Sequence, residues 1–210
     1  MRNTLIIGVI GVLLCCVGLA RAEYITVAIS GQVTGVSDQY NHFGGQIPVG
    51  TPITGTYTYD TAIPDLYPSD FIYGQYWNYT PPAGVSLNVG GFNFRTNPDN
   101  VEFAVTVNNN NLGEDSYSIW STKNLSLSNG TIVQDISWYL NDSTGTALSS
   151  DSLLLDAPYL SKWSYNTLSI SRYRDYSIAG TITSAVLVPE PATAFLFGLG
   201  LMLARKRSSK

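Results

Sequence analysis

Apolar residues are spaced in three different ways along this 210-residue chain. From Leu5 to Leu19 they form an almost unbroken run of 15 residues, and from Ala192 to Ala204 a second run of 13 contains no charge. Between these runs apolar and polar positions alternate, the period of a strand with one face buried. Ile53, Gly55, Tyr57 and Tyr59 alternate with threonines. Val85, Leu87 and Val89 meet Phe92 and Phe94 across Gly90-Gly91, a two-residue hairpin loop. Val101, Phe103, Val105 and Val107 predict the next strand, closed by the turn-rich run Asn108 to Asn111. Tyr117 and Ile119 follow, then Leu125 and Leu127 leading into Asn129-Gly130, a pair suited to a type I′ turn. Ile136, Trp138 and Leu140 precede the turn sequence Asn141 to Gly145, and Leu168, Ile170 and Ile178 to Val186 supply the last strands.

No amphipathic helical stretch competes, and the middle is rich in Thr, Ser, Tyr, Val, Ile, Gly and Asn. Many short strands with turn chemistry between them predict an all-β single domain over 23–188, a β-sandwich or jelly roll. A helical signal segment at 1–22 and a short membrane helix within 189–210 are expected to flank it.

The first apolar run has a positive head at Arg2 and ends in Ala20-Arg21-Ala22, which predicts a secretory signal peptide cut between Ala22 and Glu23 by signal peptidase. Its 15 residues fall short of the roughly 20 needed to span a bilayer. Both cysteines, Cys15 and Cys16, lie within it, so the exported part has no disulfide, thiolate nucleophile or cysteine-bound zinc. That part carries five basic and fourteen acidic residues, a net charge of −9. Such a surface repels phosphate backbones, and nucleic acid is not an expected partner.

The second run follows Val188-Pro189-Glu190-Pro191 and precedes Arg205-Lys206-Arg207. Thirteen helical residues cover about 20 Å, a marginal span of a core about 30 Å thick. Basic residues at the far end stay cytoplasmic, which places Pro189 and all before it outside. Proline suits the first helical turn, Glu190 suits the positive end of its dipole, and the prolines keep the approach extended. In this order of tripeptide, short apolar span and basic stop, the tail resembles that of the PEP-CTERM proteins, which many Gram-negative bacteria export. The resemblance covers Val188 to Arg207 only. It implies transient anchoring in the inner membrane, cutting near the tripeptide by an exosortase, and release to the cell surface or extracellular matrix. It also implies association with exopolysaccharide, biofilm or floc.

The middle offers little catalytic chemistry. His42 is the only histidine, in the loop-like Tyr40 to Gly45, with no nucleophile-elbow motif beside it. Asp60, Asp65 and Asp70 recur evenly in a proline-containing stretch and are the candidate calcium ligands, without EF-hand spacing; turn formation explains them equally. No other cofactor is expected. Tyr67, Phe71, Tyr73, Tyr76, Trp77 and Tyr79 fall within 13 residues. Such rings fill a core, or else face outward as platforms for sugars, with Tyr73, Tyr76 and Trp77 as the contacts. Asn78, Asn124, Asn129 and Asn141 each begin an Asn-x-Ser/Thr sequon. Together these features predict a sorted, non-enzymatic surface or matrix protein. A carbohydrate-binding module is the alternative, and a secreted hydrolase the second.

Overall fold

A computed structural model describes residues 24–189. The expected signal and membrane helices, with Ala22, Glu23, Glu190, Pro191 and Arg205 to Arg207, lie outside the described residues. Ten strands follow in chain order: β1 (Tyr24–Asp38), β2 (Pro52–Asp60), β3 (Tyr73–Asn78), β4 (Gly84–Val89), β5 (Phe92–Arg95), β6 (Phe103–Asn111), β7 (Glu114–Ser121), β8 (Asp135–Asp142), β9 (Tyr165–Arg172) and β10 (Tyr176–Leu187). One 3-10 turn, Leu160–Lys162, interrupts the β8–β9 connection.

The all-β expectation holds, but the described residues form one hydrogen-bonded sheet where a sandwich has two. Its order is β3-β6-β7-β8-β9-β10-β1-β2-β4-β5, and every pairing is antiparallel. A single sheet can bury a core only by curling upon itself. The curl is visible in contacts between strands far apart in that order. The Tyr117 hydroxyl of β7 donates to the Tyr57 hydroxyl of β2 at 3.3 Å, and the Tyr57 ring meets Trp138 of β8 edge-on at 5.9 Å. A bridge between Thr96 and Asn124 brings the chain just after β5 against the segment following β7. There Thr96 Oγ1 and Ser121 Oγ are 2.7 Å apart. Register shifts at Ser30/Gly31 and Val33/Gly35 bend the long first strand so that it follows the curl.

The inner face reads off the alternation. Ile25, Val27, Ile29 and Val33 of β1 are buried, as are Ile53, Tyr57 and Tyr59 of β2, Val85, Leu87 and Val89 of β4, and Ile136, Trp138 and Leu140 of β8. Gly55 continues the inner row of β2 because an added Cβ would lie 2.0 Å from the Ser86 carbonyl of β4.

Turns follow the sequence unevenly. Gly90-Gly91 joins β4 to β5 with both φ positive, as a type I′ turn requires. Asn108 to Asn111 does not end its strand. β6 continues through it with a register shift, and the turn falls on Leu112-Gly113, both at positive φ. Leu125 to Leu127 is not a ladder strand, and only Gly130 of the expected Asn129-Gly130 pair has positive φ. The turn instead closes from the Gly130 N–H to the Leu127 carbonyl at 2.9 Å, with Ser128 and Asn129 at its corner. Asn129 Oδ1 accepts from the Thr131 N–H at 3.1 Å, and its amide donates to the His42 carbonyl at 2.9 Å.

Candidate functional site

Two places on this sheet hold the candidate residues. One is the junction with the tail. Leu187 ends β10 opposite Val27 of β1, and the Val188 N–H donates to the Thr26 carbonyl at 2.8 Å. Pro189, which has no N–H to give, comes next. β1 begins at Tyr24, so both ends of the folded domain leave from one end of two adjacent strands. The tripeptide thus starts one residue beyond the last backbone bond to β1 among the described residues.

The second place is the outer face of β3, β6, β7, β8 and β9. β3 is an edge strand whose residues alternate between the faces. Trp77 and Tyr73 point outward, whereas Tyr76 points into the core and donates its hydroxyl to the Asp151 carbonyl at 3.0 Å. Burial, then the nearby Asp65 and Asp151 carboxylates, push the Tyr76 phenol up to about 12. Tyr76 is therefore removed from the expected sugar contacts: it is one residue out of phase with the exposed rings. Trp77 lies parallel to Tyr79 at 6.1 Å and meets Trp120 of β7 edge-on at 6.0 Å. The residue between the two tryptophans on β6 is Ala104, whose lack of a side chain beyond Cβ lets the indoles close over it. Ala104 is 1% exposed although it lies on the outer face. The Trp120 Nε1–H donates to Asp135 Oδ1 at 3.1 Å, which fixes the indole. Farther along the face, Tyr139 of β8 and Tyr165 of β9 meet at 5.9 Å. Trp120, Tyr139 and Tyr165 were not singled out in the sequence. Each stands at the polar phase of its strand, which is the signal that marks an outward ring.

The other candidates take part in bonds that hold the loops. His42 Nε2 lies 2.5 Å from Asp175 Oδ1, and Asp175 also pairs with Arg172 at 3.2 Å. Asp38 accepts from the His42 and Phe43 N–H groups, and Phe43 plugs the core among Phe92, Phe94 and Tyr176. Among the described residues no serine or threonine hydroxyl bonds to His42. The arrangement latches a loop. Asp60, Asp65 and Asp70 each accept an N–H two residues on, from Ala62, Tyr67 and Ile72. They are turn caps, and no group of three or more metal-ligating side chains occurs among the described residues.

Asp142, at the inner end of β8, accepts from the Thr146, Thr144 and Ala147 N–H groups and both threonine hydroxyls. The Thr146 N–H, the Thr144 hydroxyl and the Thr144 N–H, in that order, pull its carboxyl down to about 2. Of the sequon asparagines, Asn78 is buried and accepts from the Asp60 N–H, which removes it as a glycan acceptor. Asn124 and Asn141 spend their amides on Ser121, Gln134, Glu114 and Asp115.

Residues 187–208 match the family described as the PEP-CTERM protein-sorting motif. No curated protein and no solved structure matches the chain. The match begins at the last residue of β10 and takes in the junction, consistent with a protein sorted by an exosortase.

Proposed function

We propose that this protein is a non-enzymatic component of the cell surface or extracellular matrix, held briefly in the inner membrane and cut by an exosortase-type enzyme. It works in association with exopolysaccharide and in biofilm. The observation that carries this reading is the sorting motif at 187–208, joined without a spacer to the last strand of an acidic β domain. Because both chain ends leave from neighbouring strands, removal of the leader and of the tail trims the same end of the domain. The domain arrives in the matrix with its outer face untouched by either cut. The non-enzymatic part of the proposal is supported by His42, whose Nε2 pairs with Asp175 and whose ring sits among Tyr40, Phe43 and Tyr176.

Intact mass and terminal sequencing of the protein from its native host test the processing directly. The expected product begins at Glu23 and ends near Pro189. Deleting Pro189 to Lys210 should redirect it from the surface. An unchanged distribution after that deletion refutes exosortase sorting.

A further inference from the structure

Strand register aligns the outer face into three rows across β3, β6, β7, β8 and β9. The first row runs from Trp77 through Ala104 and Trp120 to Ser137 and Ser169. The second runs from Gln75 to Thr167 by way of Tyr139, and the third from Tyr73 to Tyr165. None of the fifteen positions is charged, and none is Leu, Ile, Val, Met or Phe. Every one that is not Trp, Tyr or Ala is Ser, Thr, Asn or Gln.

We propose that this face binds a neutral polysaccharide chain laid along the diagonal Trp120–Tyr139–Tyr165. Each step of that diagonal moves one strand across and one row along, so neighbouring rings stand about 7–8 Å apart at the backbone. The track is thus about 15 Å long, and the Trp77–Tyr79 pair extends it at the Trp120 end. The C–H faces of sugar rings pack on flat aromatic rings, and the ring edges satisfy sugar hydroxyls. Hydroxyl and amide side chains between the rings both donate and accept, as sugar hydroxyls require. Charge selects the ligand further. The exported part has a net charge of −9, and the carboxylates bonded to this face, Asp135 at Trp120 and Glu114 at Asn141, are negative too, so an anionic polymer is repelled and an uncharged one is not. A second copy of the chain is disfavoured for the same reason, because pairing this face with itself brings two acidic bodies together. The rings are also prepared in advance: Trp120 is oriented by Asp135, and Tyr139 and Tyr165 brace each other.

This inference deepens the exopolysaccharide association proposed above, and its test is independent of sorting. Affinity electrophoresis of the processed protein from its host would use gels containing the host's own exopolysaccharide, hydroxyethyl cellulose or alginate. Retardation by hydroxyethyl cellulose or by the host polymer, but not by alginate, is expected. Trp120→Ala and, separately, Tyr165→Ala should each weaken it roughly tenfold. Both side chains are partly exposed, at 42% and 52%, so thermal unfolding is expected to show both variants folded. No retardation in any gel, equal retardation of folded variants, or equally strong binding to alginate overturns the proposal. So does a dimer in solution that Trp120→Ala dissociates. Surface sorting that survives a failure to bind leaves the exosortase reading standing, and the converse result separates the two the other way.

Discussion

Trp138 and Tyr139 are neighbours on one strand, yet the first is fully buried and the second 41% exposed. The same division runs through the whole sheet. Inside, Tyr57, Tyr59, Tyr117 and Trp138 touch one another and bury their polar ends against partners. Tyr117 donates to Tyr57, Tyr59 to the Leu154 carbonyl, and Trp138 Nε1 to Asn166 at 2.9 Å. Outside, Trp77, Trp120, Tyr139 and Tyr165 touch each other edge-on but keep a face or a hydroxyl toward water. Identical side-chain chemistry serves cohesion on one face and stands open to solvent on the other. What separates the roles is the parity of the position along the strand.

Substitutions should break that symmetry unequally. Trp138→Ala removes a fully buried ring and is expected to cost about 3–5 kcal/mol in urea denaturation, lowering Tm by on the order of 10 °C. Tyr117→Phe keeps the ring but deletes the hydroxyl that donates to Tyr57, for about 1–2 kcal/mol.

The inner phenols also set the alkaline limit. Burial raises Tyr57, Tyr59 and Tyr117 well above the ordinary value near 10. A folded pKa above the unfolded one contributes stability that is complete below pH 10 and erodes as pH rises beyond it. Phenolate absorbance should therefore show these three ionising only as the protein unfolds; their titration in the folded state would contradict the packing. At the acid end the sign reverses. Asp142 is depressed to about 2, so its contribution is present above the ordinary 3.8 and is lost as pH falls through 2. Asp142→Asn should flatten the pH dependence of Tm across that window.

Smaller effects belong to the outside. Tyr139→Ala should move stability by no more than about 0.5 kcal/mol in the same denaturation series. A cost near that of Trp138→Ala would mean that the outer rings are structural. Chelation of divalent cations should leave Tm unchanged, because Asp60, Asp65 and Asp70 cap turns with their own neighbours' N–H groups.

Legibility in the sequence follows the range of the interaction. The strands around Ile53 to Tyr59 and Ile136 to Leu140 were readable because one alternating stretch contains the entire signal. β1 alternates as cleanly at Ile25, Val27 and Ile29, but it follows the apolar run at the start of the chain so closely that its first residues do not stand out from that run. The Asn129-Gly130 pair stands one residue late in its turn: the Gly130 N–H closes on the Leu127 carbonyl, which puts Ser128 and Asn129 at the corner. Of the three proposed sugar contacts, Trp77 and Tyr73 have the outward phase and Tyr76 does not. Closeness in sequence does not place rings together, because a sheet face is made of alternate positions.

The order of residues alone determined the strand class, the Gly90-Gly91 hairpin, the absence of cysteine from residues 23–188 and the sorting tail. Each depends on neighbours a few positions apart or on composition. Only the folded sheet decided that Trp77 and Trp120 share a face across Ala104, that Tyr139 and Tyr165 continue their line, and that β10 ends beside the start of β1. Those facts depend on which strands pair and in what register. That is settled by burying a whole core at once, and no short stretch of chain contains it.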